Sequence, residues 1–256
     1  MSSYNPSKLL PWLAALLLAS LAANAALLFA TQSSFAKLHF SRIFPLGYSE
    51  ADPQGVSPAN EGQVSVAYWG DSRAYSWALA KGGQPWVPVN FAHGSQTSSQ
   101  TLLQLQSRPV AKTDYAVVQI GINDLHPLGA LPGYQRQITD RLKGNIRAIR
   151  EALLQRSEVV IFTTIFPPAP PPLLRRASWD ARTLDHIEQA NELIRGLADG
   201  RRVLVLDAHA LLRGSGAHID PGYEDPDFFL HVNPAAYARL NEQLAQLLAR
   251  QPARRS

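Results

Sequence analysis

The chain has 256 residues, of which 46% are hydrophobic, and it carries a formal net charge of +4 at pH 7. This length is sufficient to bury one hydrophobic core, and the absence of cysteine excludes disulfides, thiol catalysis and zinc–thiolate or iron–sulfur sites. The basic residues are scattered rather than clustered, which favours a solvated surface over a nucleic-acid interface. We therefore expect one globular domain that binds no nucleic acid.

The N-terminal region contains a long apolar run. Residues 9–30 include no charge, and a helix of about 20 residues is enough to cross the hydrocarbon layer of a bilayer. The small residues Ala23 and Ala25 are also compatible with a cleaved signal peptide, but the run continues to Phe29, which favours an uncleaved anchor. We predict a short tail over residues 1–8 and a single transmembrane helix over residues 9–30.

Residues 31–61 contain several prolines and glycines and show no sustained period, so they are interpreted as a tether between the membrane and a domain. The basic residues Lys8 and Lys37 flank the apolar run on both sides, and they do not fix its orientation. A tethered domain of this kind is predicted to lie on the periplasmic or another extracytoplasmic side of the membrane.

Residues 62–250 alternate between strand-like and helix-like patterns, and a basic tail follows at residues 251–256. Strands are predicted at 63–70, 87–92, 115–120, 158–165 and 202–207. Helices are predicted at 72–80, 97–106, 132–156, 179–200 and 233–250. A five-fold alternation of strand and helix predicts an α/β fold with a parallel sheet between two layers of helices.

Polar residues follow the predicted strands at the points where ligands gather in parallel sheets. Ser72 follows the first strand, Gly94 the second and Asn123 the third, while Asp227 and His231 lie in the loop after the fifth. A serine, a histidine, a carboxylate and an amide at one sheet edge are the components of acyl transfer.

Each of these residues suits one step of that chemistry. Ser72 is the predicted nucleophile, His231 the base that takes its proton, and Asp227 the carboxylate that orients the imidazole. The backbone N–H groups of Ser72 and Gly94 and the side-chain amide of Asn123 are predicted to form the oxyanion hole. The chemistry requires neither a metal nor a cofactor, and none is predicted.

These residues occur in blocks that resemble the SGNH, or GDSL-type, hydrolase family. The blocks are Trp69-Gly-Asp-Ser72, Gly94, Ile120-Gly-Ile-Asn-Asp124 and His231-Val-Asn-Pro. The resemblance implies a flavodoxin-like three-layer α/β/α fold and hydrolysis of esters by Ser72 and His231. The family usually places its acid three residues before the histidine, where this chain has Phe228, so Asp227, Asp225, Glu224 or no acid at all remain alternatives.

The leading hypothesis is a membrane-anchored serine ester hydrolase that acts through an acyl-enzyme on O-acyl groups of cell-envelope carbohydrate or on a lipid. One alternative is an acyltransferase that moves an acetyl group to a polysaccharide, and another is a degenerate domain that binds a glycan or a protein. Asp71 and Asp124 are expected to cap helices or brace loops, and Trp69 to pack in the core. No role is predicted for His39, His126 is interpreted as a solvated loop residue, and the oligomeric state is left open.

Overall fold

The computed structural model describes residues 10–45, 63–80, 84–107 and 112–251. In this part of the chain five parallel strands form one sheet with the order β2-β1-β3-β4-β5. The strands are β1 Ser65–Gly70, β2 Val87–Asn90, β3 Thr113–Gln119, β4 Ser157–Thr163 and β5 Val203–Leu206. The predicted five-stranded parallel sheet is therefore confirmed, and each predicted strand matches an observed one within a few residues.

Eight α-helices accompany the sheet in the described residues. They are α1 Leu10–Ile43, α2 Ser72–Leu79, α3 Ser98–Ser107, α4 Ile122–Leu125, α5 Gln135–Leu154, α6 Thr183–Arg195, α7 Ala208–Leu212 and α8 Pro234–Ala249. Helices α4 and α7 were not predicted, because helices of four or five residues are too short to show a period. The predicted start of α5 was too early, since a 3-10 turn occupies residues 132–134. Helix α6 begins at Thr183, four residues after its predicted start.

The helices cover both faces of the sheet and create two hydrophobic cores. On one face α3, α5 and α6 bury residues such as Leu105, Ile146 and Ile187 against the strands. On the other face α2 and α8 bury Trp77 and Leu240. Because side chains alternate along a strand, each strand between these layers contributes to both cores, and the fold has the predicted three layers.

The end of β1 is fixed by a close approach to β3. Gly70 has a φ of +129°, and a Cβ at this position would lie 1.8 Å from the carbonyl oxygen of Gln119. Only glycine tolerates both this φ and this contact. The N–H of Asp71 then donates to the same Gln119 oxygen at 3.2 Å. This arrangement places Ser72 directly above the carboxyl edge of the sheet, between β1 and β3, where the strand order reverses.

The N-terminal helix is longer than predicted. The segment 10–30 is exposed throughout, and α1 is long and apolar enough to cross a membrane. Residues 31–43, predicted as part of an irregular tether, instead continue the helix. The tether prediction was wrong there because this part of the helix packs on the domain. Ile43 and His39 are buried, and the Thr97 hydroxyl donates a hydrogen bond to the carbonyl oxygen of Arg42 at 2.7 Å.

Several predicted segments lie outside the described residues. These are the N-terminal tail at 1–8, most of the remaining tether at 46–62, and the last five residues of the C-terminal tail. The domain boundaries proposed from the sequence therefore stay predictions, apart from the secondary structure of residues 31–43.

Candidate active site

The predicted nucleophile and base meet at the carboxyl edge of the sheet. Ser72 is the first residue of α2, which begins after Asp71 accepts a hydrogen bond from the N–H of Arg73 at 2.9 Å. His231 lies in the loop that leads to α8. The Ser72 Oγ and the His231 Nε2 are 2.9 Å apart, although the residues are 159 positions apart in sequence. This distance is within hydrogen-bond range for proton transfer.

The environment of His231 favours the neutral imidazole. Partial burial lowers the pKa of His231 below its ordinary value of 6.5, and the nearby Arg73 guanidinium lowers it further, whereas Asp225 raises it. The Phe228 ring packs on the imidazole with a ring-centroid distance of 5.1 Å. The backbone N–H of His231 donates a hydrogen bond to the carbonyl oxygen of Phe228 at 2.7 Å. A neutral imidazole is the form that accepts a proton from a serine.

Arg73 connects the nucleophile to the loop that carries His231. Its side chain is fully buried, its Nε donates to the carbonyl oxygen of Leu230, and its Nη1 donates to that of Phe166 at 2.9 Å. Burial lowers the pKa of Arg73 to about 10, so the guanidinium remains charged at neutral pH. The sequence analysis missed this role, although an arginine directly after the nucleophile, within the short helix α2, was a usable signal.

The loop before His231 presents two carboxylates in different environments. Asp227 is exposed, and its N–H donates to the carboxylate of Asp225 at 2.9 Å. Asp225 is half-buried, also accepts the N–H of Phe228 at 3.2 Å, and is the carboxylate whose charge raises the pKa of His231. Of these two carboxylates, only Asp225 raises the pKa of His231, and its hydrogen bonds go to the backbone of its own loop.

Asn123 lies in the first turn of α4, directly after β3. It is nearly buried, and its Nδ2 donates one hydrogen to the carbonyl oxygen of Gln96 at 3.0 Å. An amide nitrogen carries two hydrogens, so this contact fixes the side chain and leaves a second donor for a ligand. Gly94 lies in the exposed loop after β2, where a Cβ would meet no atom within 4 Å, and its neighbour Ser95 lines the cavity.

A buried hydrogen-bond network supports these loops. Asp124 accepts hydrogen bonds from the N–H of Ser98 at 3.0 Å and from its hydroxyl at 2.7 Å, and Asn145 donates to the same hydroxyl. These contacts connect α4 with the start of α3, and the expected bracing role of Asp124 is confirmed. Trp69 is buried and stacks on Phe91 with centroids 4.4 Å apart, so it packs in the core as expected.

Ser72 and His231 open into a cavity of about 380 Å³. Its lining comes from strand-end loops, from the loop before α8 and, unexpectedly, from α1. The lining residues are Phe35, Leu38, His39, Arg42, Ser72, Ser95, Ile122, Asn123, His126, Arg175, Trp179, Phe228, Phe229, Leu230 and His231. A larger cavity of about 450 Å³ lies between β5 and α8 and is lined by neither Ser72 nor His231.

The contribution of α1 to this cavity was not predicted from the sequence. Phe35, Leu38, His39 and Arg42 occupy positions i, i+3, i+4 and i+7, which places them on one side of a helix. This spacing was a usable signal, but the prolines and glycines further along the predicted tether obscured it. His126, interpreted as a solvated loop residue, is instead a lining residue of the same cavity.

The described part of the chain contains no candidate metal site. There, no group of three or more His, Asp or Glu side chains is arranged to hold a metal ion.

Comparisons with known proteins agree with this architecture. The model of the GDSL-like lipase/acylhydrolase family matches residues 54–239, which is more than half of the chain. A search of curated proteins finds no match.

Solved structures with the same fold include several esterases. A GDSL-like lipase from Bacteroides thetaiotaomicron is 18% identical with a TM-score of 0.57, over 84% of this chain and 98% of that one. A variant of the acetyl xylan esterase Axe2 from Geobacillus stearothermophilus is 16% identical with a TM-score of 0.56, over 75% and 97%. An inhibitor-bound aryl esterase from M. smegmatis is 13% identical with a TM-score of 0.53, over 73% and 98%. At these identities the likeness to the solved structures shows the fold alone. The family match covers the motif blocks, and the chain therefore belongs to the GDSL-like lipase/acylhydrolase family of ester-bond hydrolases.

Proposed function

We propose that this protein is a membrane-anchored serine ester hydrolase that works through an acyl-enzyme on Ser72. The observation that carries the proposal is the 2.9 Å contact between the Ser72 Oγ and the His231 Nε2, inside a cavity large enough for a small ester. Asn123 lines the same cavity, which supports its assignment to the oxyanion hole.

The reaction follows from these positions. The Ser72 Oγ attacks the ester carbonyl carbon while the His231 Nε2 takes the hydroxyl proton. The resulting oxyanion accepts hydrogen bonds from the Asn123 amide and from the backbone N–H groups of Ser72 and Gly94. The C–O bond to the alcohol then breaks, and His231 returns the proton to the leaving oxygen. Water then attacks the acyl-Ser72 carbonyl carbon while His231 takes its proton; the bond from this carbon to the Ser72 Oγ breaks, His231 returns the proton to the Oγ, and the carboxylic acid leaves.

Asp225 is the carboxylate that we assign to the support of His231. Its charge raises the pKa of the imidazole, and this is the direction that stabilises the imidazolium formed when Ser72 loses its proton. Asp225 also accepts two backbone N–H groups of its own loop, so it holds this loop and acts on His231 at the same time.

The membrane anchor is proposed for residues 9–30. Residues 10–30 expose an apolar surface that would be unfavourable in water, and 21 residues of helix extend for about 32 Å, the thickness of the hydrocarbon layer. Retention of the protein in membranes after alkaline extraction, with an intact N-terminal sequence, would support the anchor. Recovery of a soluble protein that begins near Ala26 would instead indicate a cleaved form, so the mature N-terminus is the decisive measurement.

The acyl group of the substrate is proposed to be small, because the cavity volume is modest and bulky side chains such as Trp179 and Phe229 line it. An O-acyl group on an extracytoplasmic envelope carbohydrate and a lipid ester are the two candidate sources. Transfer of the acyl group to a sugar hydroxyl instead of water uses the same residues, and radiolabelled acetate appearing in added polysaccharide would distinguish this activity.

The central test is covalent labelling of the full-length protein in detergent. A serine-directed fluorophosphonate should label one site, and Ser72→Ala should abolish labelling, whereas the matched variant Ser76→Ala on the same helix should retain it. Labelling that persists in Ser72→Ala would contradict the proposed nucleophile. A panel of esters from acetyl to palmitoyl then measures the preferred chain length.

A further inference from the structure

The catalytic cavity has two arginines in the wall to which α1 contributes. Arg42 comes from α1 and Arg175 from the 3-10 turn at residues 173–178, and both line the cavity. Among the described residues that line the cavity, none is acidic. Arg175 lies over the ring of Phe35 at 5.9 Å, a contact that holds its guanidinium beside α1.

Two imidazoles lie in the same wall as these arginines. The rings of His39 and His126 pack edge to face with centroids 4.7 Å apart. Burial lowers the pKa of His126 to about 3, and the charges of Arg175 and Arg42 contribute to the lowering, so both guanidinium groups act on this part of the cavity. His39 is only 6% exposed, and its Nδ1 has no hydrogen-bond partner among the described residues.

We propose that Arg42 and Arg175 form an anion-binding subsite in the catalytic cavity, and that the preferred substrate is an ester that carries a carboxylate or phosphate group. Guanidinium groups bind both anions through charge-assisted hydrogen bonds. The role of the subsite in turnover rests on the proposed hydrolase function, whereas binding of the anion does not.

The subsite also connects specificity to the anchor helix. Arg42 lies twelve residues after the end of the apolar segment at residue 30, which is about 18 Å along a continuous helix. The same helix therefore carries the apolar surface proposed for the membrane and one wall of the catalytic cavity. An anionic ester reaches this wall either from solution, as a carboxylate, or from the bilayer surface, as a phosphate-bearing lipid.

The binding experiment uses the full-length Ser72→Ala protein in neutral detergent, so that no hydrolysis occurs. Calorimetry should show that 4-acetoxybenzoate binds about tenfold more tightly than its neutral methyl ester, as expected for one charge-assisted contact. Adding Arg42→Gln should remove this difference, Arg42→Lys should restore part of it, and Arg147→Gln on the exposed face of α5 should leave it unchanged. Equal affinities for the two compounds, or a difference that survives Arg42→Gln combined with Arg175→Gln, would overturn the subsite.

A turnover experiment separates this inference from the proposed function. In the otherwise wild-type protein, the ratio of kcat/KM for 4-acetoxybenzoate to that for its methyl ester should fall about tenfold in Arg42→Gln and stay constant in Arg147→Gln. Hydrolysis of both esters without a preference for the anion would contradict the subsite and leave the hydrolase intact. Failure to hydrolyse either ester would contradict the hydrolase, and the binding measurement would still decide the subsite.

A further experiment, which compares two lipids as substrates, identifies the source of the anion. Phosphatidylglycerol and phosphatidylcholine that carry butanoyl chains are compared in detergent micelles, because only the first has a net negative charge. An Arg42-dependent preference for the anionic lipid would support the subsite and assign it to a phosphate at the bilayer surface. A preference confined to 4-acetoxybenzoate would support it as a site for a soluble carboxylate.

Discussion

The proposed nucleophile and the proposed base are positioned by two different kinds of structure. Ser72 and Asn123 follow the ends of adjacent strands, where the backbone is fixed by the sheet and by the contact between Gly70 and β3. His231 lies in a loop, between α7 and α8, that contains only a short 3-10 turn and two isolated bridges. The strand-end side is positioned by regular structure, whereas the loop side depends on a few individual hydrogen bonds.

This difference explains why the family motif is kept at the strand ends, around Ser72, and altered in the loop before His231. A substitution at Gly70 would disrupt the sheet, so the spacing around Ser72 has little freedom. The loop side has Phe228 where the family places an acid, and the charge of Asp225, three residues before Phe228, raises the pKa of His231. A side chain at the end of a strand is held by the sheet, whereas the position of a loop side chain depends on the contacts of that one loop.

The largest expected effect tests whether the two sides act as one unit. Ser72→Ala and His231→Ala should each lower kcat by about 10⁴-fold or more, and the double variant should cost no more than either alone. The measurement is kcat for a nitrophenyl ester, with thermal unfolding as the control for folding. Additive losses in the double variant would show that the two residues act independently.

The oxyanion donor tests the strand-end side by itself. Asn123→Ala should lower kcat by about 10²-fold, since the amide donates to charge that develops in the transition state. The KM should change little in comparison. Asn145→Ala, which removes a half-buried amide that braces Ser98 outside the cavity, is the matched control. Normal turnover in Asn123→Ala would exclude this residue from the oxyanion hole.

The connection between the two sides is tested at Arg73. Arg73→Met removes the hydrogen bonds to the carbonyl oxygens of Leu230 and Phe166, so His231 loses its support. We expect a loss of about 10²-fold in kcat, which a small displacement of a catalytic group can cause, and a lower Tm. Fluorophosphonate labelling should slow in parallel, because it needs the same base. A lower Tm with unchanged labelling would limit Arg73 to a structural role.

The two loop carboxylates are expected to differ. Asp225→Asn should lower kcat/KM by about tenfold and lower the pKa seen in its pH profile, because Asp225 raises the pKa of His231. Asp227→Asn should change neither by more than about twofold, since its side chain is exposed and lies at the surface of the loop. The opposite order of effects would return the catalytic role to Asp227.

The smallest expected effect is the position of the acid limb in the wild-type pH profile. Burial and Arg73 lower the pKa of His231 below 6.5, so the imidazole remains neutral to a lower pH than a solvated histidine does. The kcat/KM should therefore stay high at pH 6.5 and fall only as the pH drops through the lowered pKa. An acid limb centred above 6.5 would show that His231 is stabilised in its charged form.

The sequence by itself determined the class of fold and the family of ester-bond hydrolases. Strand-end blocks around Ser72 and Asn123 are local in the chain, and the hydrophobic periods that predict β1 to β5 are local as well. Sequence patterns of this short range can be interpreted without knowledge of the fold, which is why the five-stranded parallel sheet and the family were predicted correctly.

Only the tertiary structure decided which groups complete the cavity. The packing of α1 near Ile43 and the contacts of Arg73 depend on segments distant in sequence that pack against each other. The spacing of Phe35, His39 and Arg42 indicates one face of a helix, but not which part of the domain that face contacts. The physical reason is that burial and electrostatic potential are properties of the assembled fold, and only the folded chain brings Arg42 and Ser72 to one cavity.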